Sequence, residues 1–317
     1  METVPPPAAP AKDFLSILDL SHDQLGRLLD LAAQMKVDRR LGRRAPTATA
    51  LGGLHVALLF EKPSLRTRST FEIAVRELGG DALHLPSEFA EGVREPLEDV
   101  ARNLERWVKA LVIRTYAHEK VQTFAGATGA LKVINALSDA EHPCQALADM
   151  LTLMERWGDC KGRTLAYVGD GNNVATSLVH AAPQLGISVH VATPPSYELP
   201  ATVVQEAMRS AQGGAQVRMF TDAREAAAGA DAIYTDVWTS MGQEQEAKVR
   251  RRIFQPFQVN AALMSVARPD ALFMHCLPAH RGEEVTADVF ESASSVVFDQ
   301  AENRLHTQKA LLLMMLG

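Results

Sequence analysis

Short apolar segments alternate with amphipathic segments along most of the chain. The apolar ones are rich in β-branched and aromatic residues and are bounded by polar residues or glycine, the pattern of strands that are buried on both faces. Strands are predicted at 55–60, 110–113, 132–135, 164–168, 188–192, 216–220, 232–235 and 272–275.

Segments with helical periodicity separate these strands. Helices are predicted at 69–78, 119–128, 144–157, 174–185, 201–211, 223–228 and 300–316. Gly79 and Gly80 end the first of them. Because strands that alternate with helices form parallel sheets, and the alternation occurs in two sets, we expect an α/β fold of two doubly wound parallel-sheet domains joined by long helices.

The length of 317 residues also suits two domains. Residues 1–13 are rich in proline, lack the apolar core of a signal peptide and are predicted to form a flexible leader. The first domain is then expected at 14–143 and the second at 144–299, followed by a final helical segment at 300–317. In such domains ligands bind at the carboxyl ends of the strands.

Composition and charge exclude several classes of protein. Hydrophobic residues make up 47% and charged residues 22% of the chain, as in ordinary globular proteins, and the net charge of −6 gives no sign of a nucleic-acid partner. The three cysteines cannot form a disulfide framework, which favours a reducing compartment, and no apolar run reaches the roughly 18 residues of a membrane span. We therefore predict a cytoplasmic protein with neither a nucleic-acid nor a membrane partner.

The segment after the first strand combines hydroxyl and guanidinium groups. Ser64 and Thr67 offer hydroxyls, while Arg66 and Arg68 offer guanidinium groups that suit phosphate oxygens. A helix N-terminus here would add unpaired N–H groups. The alternative is a plain serine N-cap beside two solvated arginines. The segment is not a P-loop, because the glycine pair and the Gly-Lys-Ser ending are absent.

Two strands of the second set are also followed by polar residues. Gly169 and Gly171 match half of a dinucleotide fingerprint. Val174 replaces its third glycine and no acidic residue follows the next strand, which argues against a nicotinamide cofactor. The asparagines at 172–173 suit either a small polar ligand or a structural turn, and Asp236 suits either an ammonium group or a helix cap.

Histidines and cysteines form a third group of candidates. His142 and Gln145 can both donate to a carbonyl oxygen, although a structural role explains the histidine equally well. His275 and Cys276 match no zinc-binding spacing, and neighbouring side chains on a strand point in different directions, so no metal is expected. A nucleophilic cysteine would need a histidine and an acid, which no local arrangement supplies.

In their order along the chain, these motifs resemble those of the aspartate/ornithine carbamoyltransferases, and in particular those of the ornithine branch. The matching segments are 64–68, 113–115, 142–145, 169–173, 236–242, 275–278 and 301–304. The Ser-Met-Gly run at 240–242 and the His-Cys-Leu-Pro run at 275–278 point to the ornithine branch, because aspartate enzymes carry other sequences there. The resemblance extends from about residue 14 to the end of the chain.

This resemblance implies transfer of the carbamoyl group from carbamoyl phosphate to the side-chain amine of L-ornithine, giving L-citrulline and phosphate, with no metal or cofactor. The residues implied to contact carbamoyl phosphate are Ser64, Leu65, Arg66, Thr67, Arg114, His142, Gln145, Cys276, Leu277 and Arg304. Those implied to contact ornithine are Asn173, Asp236, Ser240 and Met241, and those implied to be catalytic are Arg114, His142, Asp236 and Cys276. The alternatives are a related acceptor, such as an acylated ornithine or putrescine, and a non-catalytic relative that only binds an anion.

The resemblance also implies the organisation of the molecule. The segment 14–143 would bind carbamoyl phosphate, 144–299 would bind ornithine, and 300–317 would return to the first domain. A homotrimer or an assembly of trimers is implied as well, with a role either in arginine biosynthesis or in citrulline breakdown. Two departures stand out: the family usually has threonine where this chain has Leu65, and the loop at 87–96 lacks the family's glutamine, so the contact of that loop with a neighbouring subunit does not carry over.

Overall fold

The computed structural model describes residues 12–62, 64–239 and 244–317. The chain forms two compact units, one made of the residues up to Leu151 together with Glu302–Gly317, and the other of Thr152–Ala301. The sequence-based boundaries stand at 143 and 299, whereas the units divide at 151 and 301.

The first unit contains helices and strands in alternation. They are α1 (His22–Asp38), β1 (His55–Phe60), α2 (Leu65–Glu77), β2 (Asp81–Leu85), α3 (Leu97–Trp107), β3 (Ala110–Arg114), α4 (His118–Gly126) and β4 (Lys132–Leu137). Helix α5 (Pro143–Trp157) follows and contains the division after Leu151.

The strands of the first unit form a parallel sheet in the order β2-β1-β3-β4. Its central strands are apolar on both faces because helices cover both, and on one face Leu59 and Leu111 pack with Leu104 of α3 and Phe124 of α4. The chain goes from β1 to one side and then crosses to the other, so the strand order reverses between β1 and β3. This is the topological switch point of the sheet, where ligands of doubly wound domains bind.

The second unit repeats the alternation. Its elements are β5 (Thr164–Val168), α6 (Asn173–Ala181), β6 (Ser188–Ala192), α7 (Ala201–Ser210), β7 (Val217–Phe220), α8 (Ala223–Ala227), β8 (Ala232–Thr235), α9 (Ala247–Phe254), α10 (Ala261–Met264), β9 (Leu272–His275) and α11 (Ala287–Phe290). The last helix, α12 (Val297–Leu316), contains the division after Ala301 and ends in the first unit.

The strands of the second unit form a parallel sheet in the order β7-β6-β5-β8-β9. Val168 of β5, Ile233 of β8 and Phe273 of β9 are buried in one apolar cluster with Phe290 of α11. The strand order reverses between β5 and β8, so this sheet has its own switch point there. The predicted α/β fold with two doubly wound parallel sheets is confirmed.

The elements that the sequence did not predict include β2, α3, α9, α10 and α11, and α2 begins at Leu65 rather than at residue 69. Of the predicted leader, residues 1–11 lie outside the described residues. The Nζ atom of Lys12 donates to the carbonyl oxygens of Ala125 and Thr128 at 2.8 and 2.7 Å, and Asp13 accepts from the amide of Val133 at 2.8 Å. Among the described helices, none combines the length and the hydropathy that crossing a bilayer requires.

Candidate active site

The polar residues that follow β1 lie at the N-terminus of α2. Ser64 is the N-cap residue, with an extended backbone, so Leu65, Arg66 and Thr67 form the first turn of the helix. The first N–H groups of a helix have no partner within it and carry the positive end of its dipole. The earlier start of α2 therefore places backbone donors beside the predicted side chains.

Two arginines from distant segments reach this helix end. Nη1 of Arg114, the last residue of β3, donates to Ser64 Oγ at 3.3 Å and to Thr67 Oγ1 at 3.4 Å. Arg304 on α12 donates from Nη2 to Thr67 Oγ1 and from Nη1 to Gln145 Oε1, the latter at 2.9 Å. Both Thr67 and Arg304 are buried. Five residues of the predicted carbamoyl-phosphate set thus form one hydrogen-bonded network.

His142 lies directly before α5, in strongly cationic surroundings. Burial lowers the pKa of its imidazole well below the ordinary value, and the nearby charges of Arg304, Arg114 and Arg66 lower it further. The ring is therefore neutral at physiological pH, with one N–H to donate and one nitrogen to accept. The charge of Arg66 acts on this imidazole together with those of Arg114 and Arg304, which places Arg66 in the same cationic cluster.

Gln145 is oriented by a residue that the sequence did not single out. Its Nε2 donates to Oδ1 of Asp149 at 2.8 Å, and Asp149 is fully buried in α5. Since the amide nitrogen is engaged there, the amide oxygen faces Arg304. Residues four apart face the same side of a helix, so the spacing of this pair was the available signal.

The side chain of Leu65 lies outside this network. It is 78% exposed, in the first turn of α2. Only its backbone N–H is placed to bind an anion at the helix end. The loss of the hydroxyl that the family usually has here is therefore a real chemical difference, with no polar replacement from the same residue.

In the second unit, the carboxylate of Asp236 lies directly after β8 and joins two predicted segments. Cys276 Sγ donates to its Oδ1 at 2.9 Å, and Nδ2 of Asn172 donates to its Oδ2 at 2.8 Å. Asp236 and Cys276 are both buried. The structure thus brings these two predicted residues into direct contact.

Asn172 has a second role as the N-cap of α6. Its Oδ1 accepts from the amides of Val174 and Ala175 at 2.9 and 3.2 Å. The structural interpretation therefore applies to Asn172, which caps the helix and donates to Asp236. Asn173 is the first residue of α6 and is the one left for the ligand-binding interpretation.

Acidic groups dominate this part of the second unit. Burial raises the pKa of Asp170 to about 6, although Arg250 bonds directly to its carboxylate and opposes the shift, while Asp236 adds to it. Arg250 is itself buried, donates to the carbonyl of Trp238 and lies 4.8 Å from the ring of Tyr197. This arginine, which the sequence analysis missed, compensates one of two neighbouring carboxylates and leaves Asp236 as an acceptor for a cation.

The segment after β9 is held by a buried histidine. Nδ1 of His275 accepts the N–H of Leu277 at 2.8 Å, and Leu277 has a positive φ of 60° ahead of a cis peptide bond to Pro278. The backbone N–H of Leu277 is thereby used within the protein. A ligand that meets the backbone at this residue would therefore bind its carbonyl oxygen.

The sequence argument that His275 and Cys276 point apart is wrong. Strand β9 ends at His275, so the alternation of a strand does not extend to Cys276. Ligand atoms of Asp236, His275 and Cys276 lie within 4.8 Å of one another. Each of them already has a protein partner, because the thiol donates to the carboxylate and the imidazole accepts from Leu277.

The remaining predicted residues, Ser240 and Met241, lie outside the described residues. The predicted residues that are described divide between the two units. Ser64, Leu65, Arg66, Thr67, Arg114, His142, Gln145 and Arg304 belong to the first unit, and Asn173, Asp236, Cys276 and Leu277 to the second. In each unit they follow the strands that flank the switch point of the sheet, with α5, α12 and β9 adding the rest.

Two family descriptions match the chain. "Aspartate/ornithine carbamoyltransferase, carbamoyl-P binding domain" matches residues 12–155, and "Aspartate/ornithine carbamoyltransferase, Asp/Orn binding domain" matches residues 161–315. Together they cover nearly all of the chain and correspond closely to the two compact units.

Similar proteins carry related names. An ornithine carbamoyltransferase of Acidothermus cellulolyticus is 50% identical over 303 residues, which are 95% of each chain, and an anabolic ornithine carbamoyltransferase of Pyrococcus furiosus is 48% identical over 96% of each. The solved structure of ornithine carbamoyltransferase from Pyrococcus furiosus superimposes with a TM-score of 0.92 at 47% identity, covering 98% of this chain and 99% of that one. An acetylornithine transcarbamylase complexed with acetylcitrulline gives 0.85 at 30% identity, covering 96% and 99%.

Proposed function

Because the chain belongs to the aspartate/ornithine carbamoyltransferase family, we propose that it transfers the carbamoyl group of carbamoyl phosphate to the side-chain amine of L-ornithine, giving L-citrulline and phosphate. The observation that carries the proposal is that the side chains at the two switch points form clusters of opposite charge. The cationic cluster of the first unit suits a phosphate ester, and the acidic cluster of the second suits an amine.

The phosphate group binds at the N-terminus of α2. The hydroxyls of Ser64 and Thr67, the guanidinium group of Arg66 and the backbone N–H of Leu65 provide neutral and charged donors for its oxygens. As the bond to the carbamoyl carbon breaks, negative charge grows on the leaving phosphate. Donors that are already in place lower the free energy of that charge without reorganising.

The carbamoyl group lies against Arg114, His142, Gln145 and Arg304. Attack by the amine places negative charge on the carbonyl oxygen, where a guanidinium group and a neutral imidazole N–H act as donors. The amide oxygen of Gln145 accepts from Arg304 and has a second lone pair for an N–H of the carbamoyl group. Asp149 accepts from the amide nitrogen of Gln145 and so keeps the amide oxygen directed at the carbamoyl group.

Ornithine binds to the second unit through Asn173, Asp236, Ser240 and Met241. The attacking amine must be neutral, yet an alkylamine has a pKa of about 10.4, so only roughly one molecule in a thousand is neutral near pH 7.4. The Cys276–Asp236 hydrogen bond provides a route for the proton: the sulfur accepts it from the ammonium group while its own proton passes to the carboxylate. Leu277 offers its carbonyl oxygen to the same amine.

The wider assignments rest on the family. The reaction uses no metal or cofactor, and the role is in arginine biosynthesis, in line with the relative that is named anabolic. A homotrimer or an assembly of trimers in the cytoplasm completes the proposal. The residues at 87–96 contribute no glutamine to such an assembly.

An assay with a panel of amines tests the function. The full chain is incubated with carbamoyl phosphate and with L-ornithine, N-acetylornithine, putrescine or L-aspartate, and each carbamoylated product is quantified. We expect citrulline to form with the highest kcat/KM. Faster formation of N-carbamoylputrescine or of acetylcitrulline would transfer the proposal to that acceptor. If no phosphate is released with any of the four amines, the proposal is contradicted.

A further inference from the structure

The turn that follows β9 brings together a histidine and two glutamates outside the residues assigned above. His280, Glu283 and Glu284 lie in a tight turn in which the amide of Glu283 donates to the carbonyl of His280 at 2.9 Å. Gly282, with a φ of +92°, lets the chain reverse there, and its amide donates to Val285 at 2.8 Å. The backbone thus fixes the three side chains on one short segment.

Glu284 is the unusual member of this group, because it is fully buried. Its Oε1 accepts the amide N–H of His280 and lies 3.2 Å from Nε2 of His275. Since Nδ1 of His275 accepts the N–H of Leu277, the ring proton is on Nε2, which therefore donates to Glu284. One carboxylate oxygen of Glu284 thus accepts two N–H donors.

The other carboxylate oxygen, Oε2 of Glu284, is buried and finds no hydrogen-bond donor among the described residues. Nδ1 of His280 lies 3.9 Å from this oxygen, which is too far for a hydrogen bond. Two ligands of one tetrahedral zinc ion, with bonds of about 2.0–2.2 Å, lie about 3.3–3.6 Å apart, close to this separation. A buried carboxylate oxygen without a hydrogen-bond donor therefore lies at a distance from the His280 imidazole that suits two ligands of one cation.

We propose that His280, Glu283 and Glu284 bind a divalent transition-metal cation of the zinc class. The three ligand atoms lie within 4.8 Å of one another, and one imidazole with two carboxylates is a donor set that suits such ions. The side chain of His280 is 53% exposed, so the ion enters from solvent and water completes its coordination. Glu283 is paired with Arg251 at 2.8 Å, and the metal shares or displaces that contact.

The bound ion would also be linked to the residues after β9. Glu284 contacts His275, and His275 accepts from Leu277, so the carboxylate that binds the metal with one oxygen holds this segment with the other. Histidine or carboxylate partners of this kind orient metal ligands in many sites. The proposal concerns metal binding alone and does not depend on the acceptor amine.

The test measures Co²⁺ binding by the full chain, as a spectroscopic substitute for Zn²⁺. The protein carries Cys276→Ser, so that a thiolate cannot bind the metal, and titration calorimetry is combined with the visible absorption of cobalt. We expect one Co²⁺ per chain in this background. Adding His280→Gln or Glu283→Gln weakens binding by at least about tenfold.

The matched control is His55→Gln in the same background. His55 is 54% exposed and its Nδ1 lies 3.7 Å from Asp81 Oδ2, so its exposure and its distance to a carboxylate nearly equal those of His280. Binding must be retained in this control. Absence of cobalt binding up to millimolar concentrations, or equal affinity with and without His280, would overturn the proposal. So would binding that appears only when Cys276 is restored, since the metal would then lie at the thiol.

Discussion

At the scale of single residues, the carbamoyl-phosphate cluster depends on a few side chains with more than one partner. Thr67 accepts from both Arg114 and Arg304, and Arg304 bonds in turn to Gln145. Because Thr67 and the charged Arg304 are both buried, loss of the Thr67 hydroxyl takes an acceptor from a guanidinium group that water does not reach. The network therefore both shapes the phosphate site and stabilises the fold around it.

Arg66→Ala tests the charge at the helix end. Removing a guanidinium group that faces developing charge typically costs on the order of 3 kcal/mol, so we expect kcat/KM for carbamoyl phosphate to fall by at least about a hundredfold in a folded protein. Arg68→Ala is the matched control, because Arg68 is exposed two residues later and donates to His84 at 3.1 Å. Near-normal turnover by the first variant, with circular dichroism showing a native fold, would refute the phosphate assignment.

Thr67→Val tests the buried acceptor. Valine has the same shape but accepts no hydrogen bond, so two guanidinium donors lose a partner, and we expect the free energy of unfolding to fall by about 1–3 kcal/mol together with weaker carbamoyl phosphate binding. Urea unfolding and calorimetry measure the two effects. Thr70→Val is the control, since its hydroxyl bonds only to backbone carbonyls of its own helix. Equal stability of both variants would show that the network contributes nothing to folding.

At the scale of elements, sequence periodicity predicted the buried strands and missed the amphipathic or exposed elements. Strands β1, β5, β6, β8 and β9 have the predicted bounds, because most of their residues are apolar. Strand β2 was missed because none of its residues is buried, which leaves no apolar signal at a sheet edge. Helix α3 was missed because charged residues outnumber its buried Val100, Ala101 and Leu104.

The candidate site shows the same division between local and distant information. Motifs identified most residues of both clusters, since each motif is continuous in sequence. What they could not supply is the pairing of Thr67 with Arg304, or of Asp236 with Asn172, because only the folded sheets bring these residues together. The sequence also could not predict the true start of α2, because Leu65 is exposed and Arg66 is charged, so the first residues of the helix add nothing to its apolar pattern.

Asn172 links an element to the site, and two substitutions separate its roles. Asn172→Ala removes both the N-cap of α6 and the donor to Asp236, so we expect about 1 kcal/mol less stability and a higher KM for ornithine. Asn172→Ser restores the cap, but its shorter side chain does not reach Asp236. The serine variant should therefore regain stability and keep the raised KM; a normal KM in it would show that the contact with Asp236 is dispensable.

At the scale of the whole molecule, both sheets place their chemistry at a switch point, and the chain returns through α12 to complete the first cluster with Arg304. The same helix carries a further buried histidine, His306. Burial lowers the pKa of this histidine to about 4, and the charges of Lys36, Arg39 and Lys309 add to the shift. Glu77 opposes this shift only in part.

This shift predicts how stability depends on pH. In the unfolded chain the histidine has a pKa of about 6.5, so between about pH 6.5 and 4 the unfolded state binds a proton that the folded state does not. The free energy of unfolding therefore falls as the pH falls through that window, by at most about 1.4 kcal/mol per pH unit for this one proton. Urea unfolding across the window should show a shallower slope for His306→Gln than for the wild type, while the exposed His22→Gln should follow the wild type. Parallel slopes for all three proteins would mean that His306 takes up a proton as readily in the folded chain as in the unfolded one.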